Sequence, residues 1–250
     1  MFLFHPLLNK LERLIDLDAA ERSAVSAVPV LQADVGADHE ILREGDRPSR
    51  CFLIVEGVTC VSQMVEGGRR QIDAFHIPGD MPDLHGLHLG VLDCDMWAVT
   101  DCRLGYMDHG AIRRLCAEQP RIAAELWRCT VVDAAIYRQW VTNLGQRPAI
   151  NRLAHIFCEM MLRMDAVGRA EHLRCALPIT QADLSDASGR SAVHVNRTLQ
   201  ELRELGLITF VRGQIAIHDW DALALLADFR PGYLHLQRRN SGPVDRVREA

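Results

Sequence analysis

Long hydrophobic runs are missing from this sequence: none approaches the ~18 uncharged apolar residues that a membrane-crossing helix needs. The apolar opening Met1–Leu8 gives way at once to Lys10, Glu12 and Arg13. It resembles neither a secretion signal nor a transmembrane segment, so no membrane partner is expected and a cytoplasmic location follows. No CxxC pair occurs among the eight cysteines, which stand at 51, 60, 94, 102, 116, 129, 158 and 175. That scatter argues against a zinc ribbon and against a tightly spaced iron–sulfur motif. In a reducing compartment most of them are expected as small buried hydrophobes. Internal repeats, low-complexity tracts and any triad of catalytic spacing are also absent, which ranks an enzyme last among the functions considered.

An excess of basic charge is missing too, since the formal net charge is −5. The balance is uneven along the chain. Residues 1–146 carry 14 Lys and Arg against 21 Asp and Glu, net −7, whereas residues 147–250 carry 14 against 12, net +2. This mild asymmetry permits nucleic-acid binding by the C-terminal half without demanding it. The 250 residues, 48% hydrophobic and 24% charged, suit a soluble protein of one large domain or two ordinary ones.

What is present changes texture along the chain. Leu7, Leu11, Leu14, Ile15 and Leu17 have helical spacing within Pro6–Val25. From Ile41 to Met107, short apolar runs alternate with glycine turns at Glu44-Gly45-Asp46, Glu56-Gly57, Glu66-Gly67-Gly68 and Pro78-Gly79-Asp80. Such punctuation points to an antiparallel β sandwich or roll. Phe52–Val55 and Val58–Val61 flank Glu56-Gly57, which predicts a hairpin with Gly57 supplying a positive φ. Cys60 would then lie opposite Leu53 rather than Cys51, and no disulfide is expected there.

Pro120–Gly145 reads as one long helix. Ile122, Leu126, Cys129, Asp133, Ile136, Trp140 and Asn143 follow steps of four and three, the heptad seam of a dimerising helix with polar breaks at Asp133 and Asn143. The same spacing also fits an amphipathic helix lying on its own domain. Arg147-Pro148 ends this helix, and a second, about Ile150–Met164, leads to Gly168.

The densest signal lies in Ile179–Ile208. Thr180-Gln181-Ala182-Asp183 is a capping box, Leu184 and Ala187 face inward, and Gly189 makes a turn. Ser191 caps a second helix whose expected buried stripe is Val195, Leu199, Leu202 and Leu205. Two short helices around a glycine turn form a helix-turn-helix. Leu207–Val211 and Gln214–Ile217, joined by Arg212-Gly213, form the strands of a wing. Val193, Asn196, Arg197 and Gln200 lie opposite the buried stripe, where they would enter the major groove of double-stranded DNA. Arg197 suits guanine, Asn196 or Gln200 adenine, and Val193 a thymine methyl. Thr180, Gln181 and Ser191 would position phosphates, and His194 and the wing's Arg212 complete the candidate contacts.

Here the chain resembles the CRP/FNR family of bacterial transcription regulators. The run VNRTLQELRELGLI at Val195–Ile208 carries the resemblance, with the glycine turns at Gly45, Gly57 and Gly79 at matching separations. The likeness covers roughly residues 10–230. It implies an α+β fold: an N-terminal antiparallel β-roll like a cyclic-nucleotide-binding domain, a long dimerisation helix and a C-terminal winged helix-turn-helix. The implied division is a sensor domain over 1–118, the dimerisation helix over 119–146, a DNA-binding domain over 147–230 and a mobile tail over 231–250. By the resemblance Val193, Asn196 and Arg197 fall at base-contacting positions, although family members often carry glutamate where Val193 stands. Ser188, Arg190 and Thr198 occupy places that are more often apolar. The function implied is a homodimer that binds a pseudo-palindromic operator and contacts RNA polymerase.

The resemblance does not extend to cyclic AMP. Members that bind it use a glutamate for the ribose and an arginine for the phosphate after the third glycine turn. Residues 81–97 here contain no arginine or lysine, while Asp83, Asp93 and Asp95 would repel a phosphate. The oxygen-sensing iron–sulfur arrangement fails as well, because no cysteine precedes Cys51. Asp83, Leu84, His85 and His88 are the candidate effector pocket. Asp83, His85 and His88, with Cys94 near, offer metal-ligand types, provided the chain bends at Gly86. Hydrogen bonding that stabilises an irregular loop explains the same residues. No cofactor is named, and the effector is left open. The alternative function is a metal- or haem-binding sensor acting through protein contacts.

Overall fold

His5 opens the described part of the computed structural model, residues 5–236, by capping the first helix through its ring nitrogen. Two compact units follow, Met1–Ala134 and Ala135–Ala250. The helical stretch expected at the start is two helices, α1 (Pro6–Leu14) and α2 (Ala19–Ser26). Asp18 and Glu21 form a capping box that starts the second afresh.

The strands of the first unit are β1 (Leu31–Val35), β2 (Glu40–Leu42), β3 (Arg50–Glu56), β4 (Thr59–Val65) and β5 (Arg69–His76). A four-residue helix α3 (Gly86–Leu89), β6 (Asp95–Ala98), β7 (Cys102–Asp108) and α4 (His109–Glu118) complete the roll. All pairings are antiparallel, in one sheet ordered β1-β7-β3 and another ordered β2-β6-β4-β5.

The hairpin expected between β3 and β4 does not form. β3 pairs with β7, and β4 pairs with β5 and β6, so the chain changes sheets at Gly57. Gly57 does have positive φ (90°), and a Cβ there would stand 2.4 Å from the Asp101 carbonyl oxygen. The glycine serves a crossing rather than a hairpin. Cys51 and Cys60 remain free thiols, as do the other six.

Burial on both faces explains why β3 reads as an unbroken apolar run. Phe52 and Ile54 join Val61, Met96 and Leu104 between the sheets. Cys51 and Leu53 face a second core formed with Leu7, Leu11, Val25, Leu84 and Ile112.

The helix α5 (Pro120–Gln146) runs through the boundary between the units, which falls at Ala134/Ala135 rather than at either end of that helix. The second unit is built on α6 (Ala149–Ala166), whose residues Arg152–Met164 are all buried. Around it come β8 (Ala170–Glu171), β9 (Arg174–Ala176), α7 (Gln181–Ser188), α8 (Ala192–Glu204), β10 (Ile208–Val211), β11 (Gln214–Ile217) and α9 (Trp220–Ala227). The sheet order is β10-β11-β9-β8.

Packed structure continues past the expected boundary at 230. Pro231–Leu234 form a 3-10 turn with Leu234 buried, and the Tyr233 hydroxyl donates to Glu159 at 2.6 Å. The expected mobile tail therefore does not begin at 231. Its remainder, 237–250, lies outside the described residues.

Candidate nucleic-acid interface

Local chemistry sets each end of the two helices. The Thr180 hydroxyl oxygen accepts the Asp183 amide at 3.1 Å, while an Asp183 carboxylate oxygen accepts the Thr180 amide at 2.8 Å. This reciprocal cap starts α7, and Gly189 ends it in the left-handed region. Ser191 starts α8 by accepting the His194 amide at 3.3 Å. The intervening turn is held from below. Arg152 on α6 donates to the Ser188 carbonyl, and also to the Leu144 and Arg147 carbonyls at 2.9 and 3.1 Å. Arg152 was not singled out in the sequence, where a polar residue near the start of an amphipathic helix reads as solvated.

On α8 the buried side is Val195, Thr198, Leu199 and Leu202. Leu205, expected to extend that stripe, is instead 57% exposed because the helix ends there and Leu207 takes up the packing. Thr198 is tolerated in the core because its hydroxyl donates to the His194 carbonyl at 2.9 Å. Ser188 is likewise buried, its hydroxyl directed at the Ser185 carbonyl.

The opposite side of α8 is free of packing. Val193 is 82% exposed, and Asn196, Arg197 and Gln200 are exposed beside it. Arg197 donates to His194 Nδ1 at 3.0 Å, and Asn196 donates to Gln181 Oε1 at 3.1 Å. These contacts lay the two side chains along the helix surface and join the front of α8 to the first turn of α7. Thr180, Gln181 and Ser191 are exposed at the two helix starts.

The wing pairs Ile208 with Ile217 through Val211 with Gln214, closed by a two-residue turn in which Arg212 and Gly213 both have positive φ. That is the turn whose twist suits a two-residue hairpin. Arg212 is exposed at its tip, and Arg203 ties α8 to the wing by donating to the Phe210 carbonyl at 3.1 Å.

The four residues of the candidate effector pocket do not converge. Asp83 is 1% exposed, and both its carboxylate oxygens accept the Phe52 amide at 3.1 Å, which satisfies a free edge of β3. Burial pushes its carboxyl up to about 8, against the pull of that amide. Leu84 belongs to the helical core, and His88 is exposed on α3. The His85 ring lies instead beside Asp93, at 3.8 Å. The hydrogen-bonding explanation holds for Asp83.

Most residues of the expected dimer seam are buried within the single chain. Ile122 and Leu126 belong to the core of the first unit, and Ile136, Trp140 and Asn143 are buried within the single chain. Cys129 is half-buried, with its thiol pushed up by burial. The Trp140 indole donates to Glu159 at 3.2 Å. This stripe is the one by which α5 lies on its own chain. A second stripe, Trp127, Val131, Ala134, Arg138 and Val141, repeats the same steps of four and three and is exposed throughout, Trp127 at 67% and Val141 at 70%.

A winged helix-turn-helix with one helix face bare, preceded by a two-sheet roll, is the architecture of a DNA-binding regulator. Residues 33–119 match the family model of the cyclic nucleotide-binding domain, and residues 151–226 match that of the Crp-like helix-turn-helix domain. The nitrogen fixation regulation protein FixK of Azorhizobium caulinodans is 25% identical over 221 residues, 87% of this chain and 88% of that protein. FixK of Rhizobium meliloti is 28% identical over 181 residues, 72% of this chain and 79% of that one. The solved structure of FixK2 from Bradyrhizobium japonicum superposes with a TM-score of 0.69 at 25% identity, covering 80% of this chain and 98% of that one. The chain belongs to the CRP/FNR family of transcription regulators, which are not enzymes. No helix among the described residues is long and apolar enough to cross a membrane.

Proposed function

We propose that this regulator acts as a homodimer on a pseudo-palindromic operator, reading bases with Val193, Asn196, Arg197 and Gln200 of α8. Thr180, Gln181, Ser191, His194 and Arg212 hold the phosphates around them. The observation that carries this is the bare face of α8 opposite a fully packed one, presented by two capped helix starts. Backbone amides at those starts favour phosphate, and a planar guanidinium suits the paired acceptors of guanine. The exposed stripe Trp127, Val131 and Val141 is the dimer seam in this reading, in place of Ile122, Leu126, Cys129, Ile136 and Trp140. RNA polymerase is its further partner, and chromosomal DNA places its work in the cytoplasm.

Control is by something other than cyclic AMP. The stretch after β5 has no cation between residues 81 and 97, and its buried carboxylate, Asp83, is already engaged by β3. A cyclic phosphate would find no Lys or Arg within that stretch to pair with.

The test is selection of bound sequences from random duplex DNA with the purified chain and with Arg197→Ala. Enrichment of a two-fold symmetric motif is expected. The substitution should relax one base position in each half-site, a loss of ~1–3 kcal/mol of discrimination there. Failure to enrich any motif, with cell extract added as a source of effector, would refute the proposal.

A further inference from the structure

Outside the DNA-reading face, one cluster of reactive side chains stands unexplained. It joins the loop after β5 to the start of β6. Among the described residues, His85, Asp93 and Cys94 each offer one donor atom, and the three atoms lie within 4.8 Å of one another. We propose that His85, Asp93 and Cys94 form a binding site for a divalent metal ion of the zinc class on the rim of the β-roll.

Of the three donor separations, that between His85 and Asp93 is close to what a tetrahedral ion requires. Bonds of ~2.0–2.3 Å to nitrogen, oxygen and sulfur place neighbouring donors roughly 3.3–3.6 Å apart. His85 Nε2 and the Asp93 carboxylate are 3.8 Å apart, so closure needs shifts well under an ångström at that pair. His85 Nε2 is buried and makes no hydrogen bond, an orphaned donor or acceptor that the remainder of the roll does not account for. Cys94 is also buried, whereas the Asp93 side chain is 77% exposed, so an ion would enter past Asp93.

The two segments that carry the donors are held by other contacts. Arg113 donates to the Leu87 carbonyl, just beyond His85. The Leu92 carbonyl accepts the Gly45 amide at 2.9 Å, and the Leu92 amide donates to the Asp46 carbonyl at 3.0 Å. The Asp95 carboxylate accepts the Glu44 amide at 2.9 Å. Such anchoring lowers the ordering cost of a site. One imidazole, one carboxylate and one thiolate suit zinc and neutralise its charge, and three protein donors leave a fourth position for water. Without metal, burial and the neighbouring Asp93 push the Cys94 thiol up to about 12. Metal entry would release that proton to solvent.

The experiment is titration of the chelator-stripped full chain with zinc chloride against a chromogenic competitor, for the wild type, His85→Ala, Asp93→Asn, Cys94→Ser and the control Cys116→Ser. One equivalent is expected for wild type and control, weakened at least about tenfold in the three site variants. Cobalt(II) should give a thiolate charge-transfer band that Cys94→Ser abolishes. Asp93 is too exposed for its substitution to unfold the roll, so that variant remains informative if the buried ones misfold. Absence of a tight equivalent in wild type, or its full retention in Asp93→Asn and His85→Ala, would overturn the site. The titration reads metal and not DNA, so its failure and that of the DNA-binding proposal are separate outcomes.

Discussion

Glu159 is without solvent contact and is engaged by three donors: the Trp140 indole, Arg163 at 3.1 Å and the Tyr233 hydroxyl at 2.6 Å. Its neighbour His155 stacks on Tyr233 and meets Phe229 edge-on. Because Tyr233 gives its proton to Glu159, His155 Nε2 must be the donor in their 3.1 Å contact, which places a proton on Nε2. Burial, reinforced by Arg147, pulls the imidazole down from 6.5 to about 3. A group whose folded pKa is depressed binds its proton first in the unfolded chain. Its contribution is therefore present above about pH 6.5 and lost as pH falls toward 3. At pH 5 the loss should be about 2 kcal/mol. His155→Gln keeps a donor toward Tyr233 and should flatten this difference between urea unfolding curves at pH 7 and pH 5. None of this network was legible in the sequence. Arg152, His155, Glu159 and Arg163 recur at steps of three and four, as a solvated helix face does, and only tertiary packing turns that face inward.

At the scale of elements, the sequence was most informative where a local backbone rule operates. The Thr180–Asp183 box, the Gly189 and Ser191 helix ends and the Arg212-Gly213 turn stand as their residue types predict. Pairing over longer range was less legible. The Gly57 turn was placed correctly but its strands were assigned to each other, because an apolar run buried on both faces does not identify its neighbour. In α5 the heptad spacing was real, yet it fitted two stripes. Residues five positions apart sit roughly 140° round a helix, so a dimer seam and a stripe lying on the same chain share one period. The wing gives a test at this scale. Gly213 has φ of 71°, and a Cβ there would stand 2.9 Å from Pro178 Cα, a backbone atom that cannot rotate away. Gly213→Ala should cost ~1–3 kcal/mol in thermal unfolding. It should also weaken DNA binding while leaving the base preference of α8 unchanged.

For the whole molecule, a net charge of −5 is a poor starting point for a DNA ligand, and one α8 helix reaches only a few base pairs. Two copies resolve the second difficulty if their recognition helices stand about one turn of DNA apart, ~34 Å. Trp127→Glu tests this without touching the DNA-reading surface. Trp127 is exposed in the single chain, so a charge there should leave folding intact while opposing burial against a second copy. The mass by light scattering should halve. Linked half-sites gain about 10²–10⁴ in affinity from effective concentration, so operator binding should fall by that order. The salt dependence discriminates further: a lone chain neutralises half as many phosphates, and the slope of log affinity against log salt should halve with it. Ile136→Ala is the counterpart. Ile136 is buried on its own chain, so this change should cost ~2–5 kcal/mol of stability while the mass remains that of a dimer. If Ile136→Ala instead yields a folded monomer and Trp127→Glu stays dimeric, the seam runs along the buried stripe after all, and α5 must rotate when two copies meet.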